Sequence, residues 1–434
     1  MSVRLAVIAD DFTGGLFVAS NLERLGISVV YVCDPEVLPA VGDQEVVIVA
    51  TRLRFMPPNE AVARLDLLTS ALDAIGTRHF FYKYCSTFDS TDAGNIGPCA
   101  DFLLQKYGGD RLVFSPGYPD FRTYVHEGYM FYKDRLISES IKRFDPITPM
   151  NDPDMARVLQ RQTTSRVGLL PHRILHDGED AARNYVNLQQ TNGIRYFLMD
   201  CVDNDDVRCG ASIFRLDRVT TGADALAIEL AVQWRLAEPG IATSERAPSV
   251  GSQGGEAVLI GSCSEITLNQ RDHFARSNPV LDIDICAGEE NQLVAGALAW
   301  ADQHLASDRA IGFSVAGDPA GVTRAQSAFG VMGAARRAER VLAAIARALA
   351  ERGVRRFVVS GGETSGAIVE AMGIQRMQVL PFDELGAGSC ISLDERRISL
   401  FLKPGKIGAP DVFSAALNKM RSSSISVSPE DLTA

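Results

Sequence analysis

The sequence predicts an α/β protein of two doubly wound, three-layer domains with largely parallel sheets, joined by a linker. Three observations predict it. Short apolar runs of strand length alternate with segments of helical period through both halves, the order that gives a parallel sheet covered on both faces. One stretch, residues 237–256, interrupts that alternation with Pro, Gly, Ser and almost nothing to bury. The chain is 434 residues with 46% hydrophobic and 22% charged residues, enough for two cores and unlike a disordered or collagen-like chain.

Leu5–Ala9 is the first strand, a continuous apolar run as a strand buried on both faces requires. Phe17–Leu25 carries apolar residues at helical spacing and stops at Gly26, a C-terminal cap. Val29–Cys33, Val46–Ala50, Phe80–Tyr84, Leu112–Ser115 and Tyr196–Asp200 continue the strands. Between them Asn59–Ile75 is amphipathic, with Ala61, Leu65, Leu68 and Leu72 on one face. A helix over Ala223–Leu236 closes this half. The second half has strands at Ala257–Gly261, Val280–Ile285, Ile311–Val315, Arg356–Ser360, Met377–Leu380 and Ile398–Leu402. Its helices are Ala367–Met372 and the long Ala334–Arg352, which sets Val341, Leu342, Ile345 and Leu349 against a face of arginines. The expected division is residues 1–236, a linker over 237–256, residues 257–420, and a frayed Ser-rich tail over 421–434.

A net charge of −11 repels phosphate backbones and argues against a nucleic-acid partner. No segment approaches the roughly 20 apolar residues of a membrane span. The N-terminus runs directly into a strand without the cleavage site of a secretory signal. Eight scattered cysteines without a CxxC pair read as reduced residues, and the expected setting is cytoplasmic.

Five segments can carry chemistry. Asp10-Asp11-Phe12-Thr13-Gly14-Gly15 lies where a buried strand gives way to a helix, the place where doubly wound sheets bind ligands. Two adjacent carboxylates there can hold or deprotonate a hydroxyl; equally, one can cap the helix while the other is solvated. Tyr82-Lys83-Tyr84-Cys85-Ser86-Thr87-Phe88-Asp89-Ser90-Thr91, closing with Gly94-Asn95-Ile96-Gly97, offers a lysine and several hydroxyls to an oxyanion, or is an ordinary Ser/Thr turn. Arg54, beyond the strand Val46–Ala50, can place a bidentate fork on a carboxylate or simply lie on the surface.

In the second half, Ser360-Gly361-Gly362-Glu363-Thr364-Ser365-Gly366 is a strand, a Gly-rich turn and a helix, which aims backbone N–H groups at one point where a phosphate can sit. Ser360 and Glu363 also have capping-box spacing. Gly261-Ser262-Cys263-Ser264-Glu265 and Lys403-Pro404-Gly405-Lys406-Ile407-Gly408 are two more small or basic turns after strands, suited to polyphosphate. Neither GxxxxGK[ST] nor GxGxxG is present, so a P-loop is excluded and a dinucleotide-dependent dehydrogenase lacks its fingerprint. His172 and His176 have helical i,i+4 spacing without a third ligand close by and read as structural or surface residues. Asp200, Asp203, Asp205 and Asp206 read as a solvated turn and cap, with Mg²⁺ binding the lesser alternative.

Together these segments resemble the four-carbon acid sugar kinase family over nearly the whole chain, from Ala9-Asp10-Asp11-Phe12-Thr13-Gly14 to Lys403-Pro404-Gly405. The Tyr82–Thr91 segment and Pro146-Ile147-Thr148-Pro149-Met150-Asn151-Asp152 look most like its 3-oxo-tetronate kinase branch. The resemblance implies an ATP- and Mg²⁺-dependent phosphotransferase acting on the terminal hydroxyl of a short sugar acid. It places Asp11, Arg54, Lys83, Tyr84, Cys85 and Ser86 on the acid, with Asp10, Asp11 and Lys83 catalytic. Arg54 would grip the acid's carboxylate, Asp10 or Asp11 would orient or deprotonate the hydroxyl, and Lys83 would stabilise the transferring charge. The ATP residues would be Ser262, Ser264, Gly361, Gly362, Glu363, Thr364, Ser365, Lys403, Pro404, Gly405 and Lys406, with closure about the linker bringing phosphate to hydroxyl. Metal ligands are not assigned. The expected partners are a sugar acid and ATP, in a monomer or a homodimer.

Two departures from the family pattern fall in the acid-binding half. Leu16 and Phe17 stand where a polar residue and an aspartate are usual, and Pro119-Asp120-Phe121-Arg122-Thr123 is one residue short of the branch's Pro-Glu-Asn-Gly-Arg-Thr. They leave open a threonate, an erythronate or a branched acid such as 3-oxo-isoapionate, or an inactive ATP-binding regulator. Retention of Asp10, Asp11, Arg54 and Lys83 argues against the regulator.

Overall fold

A computed structural model of the chain describes residues 3–41, 44–237, 251–305, 309–317 and 319–423. The chain forms two compact units. The first holds Met1–Val18, Leu25–Val29 and Pro35–Thr243; the second holds Ala19–Arg24, Val30–Asp34 and Ser244–Ala434.

The N-terminal half runs β1 (Val3–Ala9), α1 (Phe12–Arg24), β2 (Val29–Val32), β3 (Gln44–Ala50), α2 (Pro58–Ala74), β4 (Thr77–Lys83), α3 (Ile96–Tyr107) and β5 (Leu112–Ser115), all in the first unit save the end of α1 and most of β2. It continues with β6 (Thr123–His126), β7 (Tyr129–Tyr132), β8 (Arg135–Leu136), α4 (Met155–Gln160), β9 (Val167–Leu170), α5 (His172–His176) and α6 (Glu179–Thr191). It ends with β10 (Tyr196–Met199), α7 (Asn204–Phe214), β11 (Val219–Gly222) and α8 (Asp224–Ala237). Its main sheet runs β3-β1-β4-β11-β5-β10-β9, parallel throughout. Every residue of β1 is buried, as the continuous apolar run requires. The apolar face of α2 expected from its spacing, Ala61, Leu65, Leu68 and Leu72, is buried too. A separate antiparallel sheet, β6-β7-β8, fills the excursion after β5. Its strands are two to four residues long, too short for a readable alternation.

The second unit runs β12 (Gly255–Ile260), α9 (Glu265–Ala275), β13 (Val280–Asp282), α10 (Glu290–His304), β14 (Ile311–Ser314), α11 (Pro319–Phe329), α12 (Val331–Glu351) and β15 (Val354–Ser360). Then follow α13 (Gly362–Ala371), β16 (Arg376–Val379), β17 (Gly388–Ser392), β18 (Ser399–Lys403) and α14 (Val412–Ser423). Strands β13-β14-β12-β15-β18 are parallel, while β17 is antiparallel to both β18 and β16. Tyr31 and Val32 of β2 pair antiparallel with β16, the Phe382 N–H donates to the Ser20 carbonyl at 2.9 Å, and the Arg24 guanidinium lies 5.5 Å from the Phe382 ring. These non-local pairings explain why two N-terminal segments group with the second unit. A division at residue 236 does not foresee them. In α12, Val341, Leu342, Ile345 and Leu349 are fully buried, as their spacing predicts.

Most of the expected linker, 238–250, lies outside the described residues, as do 424–434 of the expected tail. Arg421–Ser423 are the end of α14. Among the described residues no helix is long and apolar enough to cross a membrane.

Both parallel sheets share one topological feature. From β1 the chain builds β3 on one side and then crosses back to lay β4 on the other; from β12 it builds β13 and β14 on one side and then lays β15 on the other. Each unit therefore has a switch point, β1/β4 and β12/β15, where loops diverge and open a crevice at the strands' carboxyl ends. Register aligns those ends: Ala9 pairs with Lys83, Lys83 with Gly222, Ile260 with Ser360, and Ser360 with Lys403.

Candidate active site

At the first switch point, four charged side chains expected from sequence meet, and a fifth joins them. Asp11 precedes α1 and caps it, its Oδ1 accepting the Gly14 N–H at 3.0 Å and its Oδ2 the Thr13 hydroxyl at 2.6 Å. Asp10 is not the solvated partner that the bland alternative requires, since it is 3% exposed. The Arg54 Nε and Nη2 donate to its two oxygens at 2.7 and 2.8 Å, and Nη2 also lies 2.8 Å from Asp11 Oδ1. The fork expected to serve a ligand's carboxylate is engaged on Asp10 through Nε and Nη2. The loop carrying Arg54 is tied down by Asn95, whose amide donates to the Leu53 and Met56 carbonyls at 2.6 and 3.0 Å.

Lys83 ends β4 with 1% exposure, its Nζ 3.3 Å from Asp224 Oδ1 and donating to the Tyr84 carbonyl at 3.2 Å. Gly14 makes this approach possible, because a Cβ there would stand 2.5 Å from both Asp11 Oδ1 and Lys83 Nζ. Burial pushes the Asp10 carboxyl above its ordinary value despite Arg54. Burial acts the same way on Asp11, but Arg54, Lys83 and the Thr13 and Gly14 hydrogen bonds together hold it below. Lys83 is disfavoured by burial yet held above its ordinary value by Asp224, Asp10 and Asp11.

The rest of the Tyr82–Thr91 segment divides. Tyr84 is fully buried and packs edge-on against Phe88 at 5.3 Å, so its side chain belongs to the core and is not a ligand contact. Cys85 and Ser86 are half-buried. The Cys85 thiol lies 3.1 Å from the Thr87 hydroxyl and 3.3 Å from Asp89, and Lys142 grips both Asp89 oxygens at 2.7 Å. Lys142 comes from 53 residues downstream, and nothing local in the sequence marks it.

The second switch point is built differently. Three turns converge there: a Cβ on Gly261 would lie 2.1 Å from the Thr364 hydroxyl, and one on Gly405 would lie 2.0 Å from the Ser262 hydroxyl. The Gly405 carbonyl accepts from the Ser264 and Thr267 hydroxyls. Helix α13 begins at Gly362, and the Gly361 before it, with φ +131°, supplies no side-chain cap. The Ser360–Glu363 capping box is therefore corrected: the N-cap position falls on Gly361, and the Ser360 hydroxyl pairs with Thr267 at 3.1 Å. Ser365 is fully buried and donates to the Gly361 carbonyl. Lys403 is also fully buried and donates to the Pro404 and Ile407 carbonyls at 2.8 and 3.0 Å, closing the 403–407 turn from within. Burial pushes its ammonium down to about 7.

Comparison with known proteins follows the same division. A sugar-binding N-terminal domain model matches residues 5–230, and a nucleotide-binding C-terminal domain model matches 257–413. The chain belongs to the four-carbon acid sugar kinase family. Among its relatives, the 3-oxo-tetronate kinase of Burkholderia multivorans is 36% identical over 417 residues, covering 96% of this chain and 97% of that protein. The 3-oxo-tetronate kinase of Cupriavidus necator is 35% identical over 424 residues, with 96% and 97% covered. A crystal structure from Salmonella typhimurium LT2, described as a tRNA synthase, superposes with TM-score 0.80 at 31% identity, covering 96% of this chain and 99% of that one. A Haemophilus influenzae structure does so with TM-score 0.70 at 29% identity, covering 96% and 100%.

The two departures from the sugar kinase family's usual pattern touch each other. Phe17, on the face of α1 that also carries Gly14, meets Phe121 edge-on at 4.7 Å and Tyr118 at 5.9 Å, and Tyr118 meets Phe121 at 4.9 Å. They form one aromatic cluster. Two further expectations change. Asp200 and Asp206 are buried, not solvated: Asp200 accepts the Glu127, Gly128 and His172 N–H groups, while Asp206 holds His172 Nδ1 at 2.9 Å. Asp203 does cap α7. Asp224 was missed, although Gly222-Ala223-Asp224 repeats the strand, acid, helix order of Asp10 and Asp11.

Proposed function

We propose that this chain transfers the γ-phosphoryl group of ATP to the terminal hydroxyl of a short sugar acid, 3-oxo-tetronate, giving the 4-phosphate. The observation that carries the reading is the buried Asp10–Asp11–Arg54–Lys83 constellation at the β1/β4 switch point, inside the half that matches the sugar-binding model. Phosphoryl transfer asks for positioning and charge stabilisation, with little covalent help. Asp11, ionised and fixed by Thr13 and Gly14, accepts a substrate hydroxyl in one orientation. Arg54 acts by holding Asp10 and Asp11 in place. Lys83 supplies the positive charge that an incoming phosphoryl group meets. Cys85 and Ser86 line the same strand end, their turn braced by Lys142 through Asp89.

ATP falls to the second unit in this reading. The start of α13, Gly362–Thr364, turns backbone N–H groups toward its phosphates in this reading, while the Gly361 N–H is held by the Lys403 carbonyl at 2.9 Å; Ser262, Ser264, Gly405 and Lys406 stand on the neighbouring turns. Lys403 and Ser365 shape those turns from inside. Among the described residues no group of three or more His, Cys, Asp or Glu side chains is arranged to hold a metal. Hydroxyls and N–H groups without a carboxylate cage fit Mg²⁺ carried on the nucleotide, its ligands mostly phosphate oxygens and water. When bound, such a Mg²⁺ would supply charge neutralisation at the phosphates. ATP as co-substrate implies a cytoplasmic setting.

The test is a coupled ADP-release assay with MgATP across 3-oxo-tetronate, threonate, erythronate and branched sugar acids. Turnover highest on 3-oxo-tetronate supports the reading. Turnover on a branched acid alone keeps the kinase and moves the substrate to one that suits the Phe17–Phe121 wall. ATP binding without turnover on any acid favours the regulatory alternative.

A further inference from the structure

Three carboxylates stand around Lys83, and two of them are already engaged. Asp10 receives Arg54 on both oxygens. Asp11 receives Gly14 and Arg54 on Oδ1 and Thr13 on Oδ2. Each such donor stabilises the ionised carboxylate and weakens it as a proton acceptor. Asp224 is different. Besides its own backbone N–H, its partner is Lys83 Nζ, 3.3 Å from Oδ1, longer than the 2.7–2.9 Å usual for a charge-assisted bond.

We propose that Asp224 is the general base of the reaction, a role that rests on the kinase reading above. The fold puts it there. Asp224 opens α8 directly after β11, whose Gly222 is in register with Lys83 of β4. Its side chain keeps 9% of its surface open, so a hydroxyl can reach it while bulk water is largely excluded. Burial raises its affinity for a proton, offset in part by Lys83, and Asp11 adds to the rise. That direction moves a carboxylate toward the range in which a base works at neutral pH. In the step, the acceptor oxygen gives its proton to Asp224 Oδ2 as it forms a bond to the γ-phosphorus. The bond from phosphorus to the β–γ bridging oxygen breaks, ADP leaves with that electron pair, and protonated Asp224 later releases the proton to water.

The test is Asp224→Asn in the full chain, with wild-type turnover of 3-oxo-tetronate and MgATP measured first. The expected result is a kcat lower by about 10²–10⁴-fold, the usual contribution of a general base, with KM for acid and ATP within about threefold of wild type. The residual rate should climb with pH without the wild-type plateau, because hydroxide then takes the proton. Asp224→Glu, which keeps a carboxylate, should recover at least tenfold of the loss together with the plateau; it carries the test if the Asn variant does not fold. A kcat within threefold of wild type overturns the assignment and leaves the kinase standing. So does a large loss with the pH profile unchanged, which would make Asp224 only a support for Lys83. A wild-type chain that turns over no acid overturns both readings.

Discussion

The two switch points obey one topological rule and carry opposite chemistry. At β1/β4 the crevice is floored by three acids, Asp10, Asp11 and Asp224, and two cations, Lys83 and the partly buried Arg54, so that one formal negative charge is left over. At β12/β15 the corresponding positions hold Gly, Ser and Thr, and the buried lysine there, Lys403, faces carbonyls. The difference suits the two roles proposed for these sites. A hydroxyl that must be oriented and deprotonated needs fixed acids with cations to hold them. A polyphosphate needs neutral donors that approach closely, and fixed N–H dipoles supply them.

Asp11→Asn strikes the charged site hardest. It should lower kcat about 10²-fold or more while ATP affinity stays within about twofold, read by steady-state kinetics and by nucleotide titration. An unchanged kcat would remove Asp11 from the reaction. Lys83→Met tests whether the charges act as a unit. With its ammonium gone, Asp224 loses its cation, and stability should fall by about 3–5 kcal/mol in urea unfolding. A loss under 1 kcal/mol would show that the acids neutralise without it.

Gly405→Ala addresses the other site by shape alone. Its Cβ would stand 2.0 Å from the Ser262 hydroxyl, so the converging turns must part. KM for ATP should rise about tenfold, roughly 1.4 kcal/mol, with KM for the acid unmoved; a rise for the acid instead would break the division of labour. The last prediction concerns Lys403. In the folded protein it is neutral above about pH 7, whereas in the unfolded chain it stays charged to about pH 10. The unfolded state therefore binds more protons in that window, and Lys403 makes stability rise with pH, by at most about 1.4 kcal/mol per unit. Lys403→Met should flatten that rise relative to wild type in unfolding curves from pH 7 to 9.5. Equal slopes would show that Lys403 remains charged in the folded turn.

The division between legible and hidden runs along the same lines. The succession of strands and helices, the 3.6-residue face of α2 and α12, and the turns after β1, β4, β15 and β18 follow from local pattern, because burial on two faces and a tight turn each constrain neighbouring residues. For that reason Asp10, Asp11, Lys83 and the Gly361–Thr364 turn are visible from sequence alone. The partners of those residues are not local. Arg54 is 44 residues from Asp10, Lys142 is 53 from Asp89, and Ser360 finds Thr267 across 93 residues in place of the capping box that its own neighbourhood suggests. Asp224 could have been suspected from the strand, acid, helix order, yet only the β4–β11 register sets it beside Lys83. The contact between Phe17 and Phe121 is likewise invisible in sequence, where they are two unrelated exceptions. The sequence by itself determined the α/β class, the family and the turns that follow the strands. Which carboxylate is saturated, which lysine faces acids and which faces carbonyls were decided by tertiary structure, because charge and hydrogen-bond balance depend on everything packed around a group and not on its neighbours in the chain.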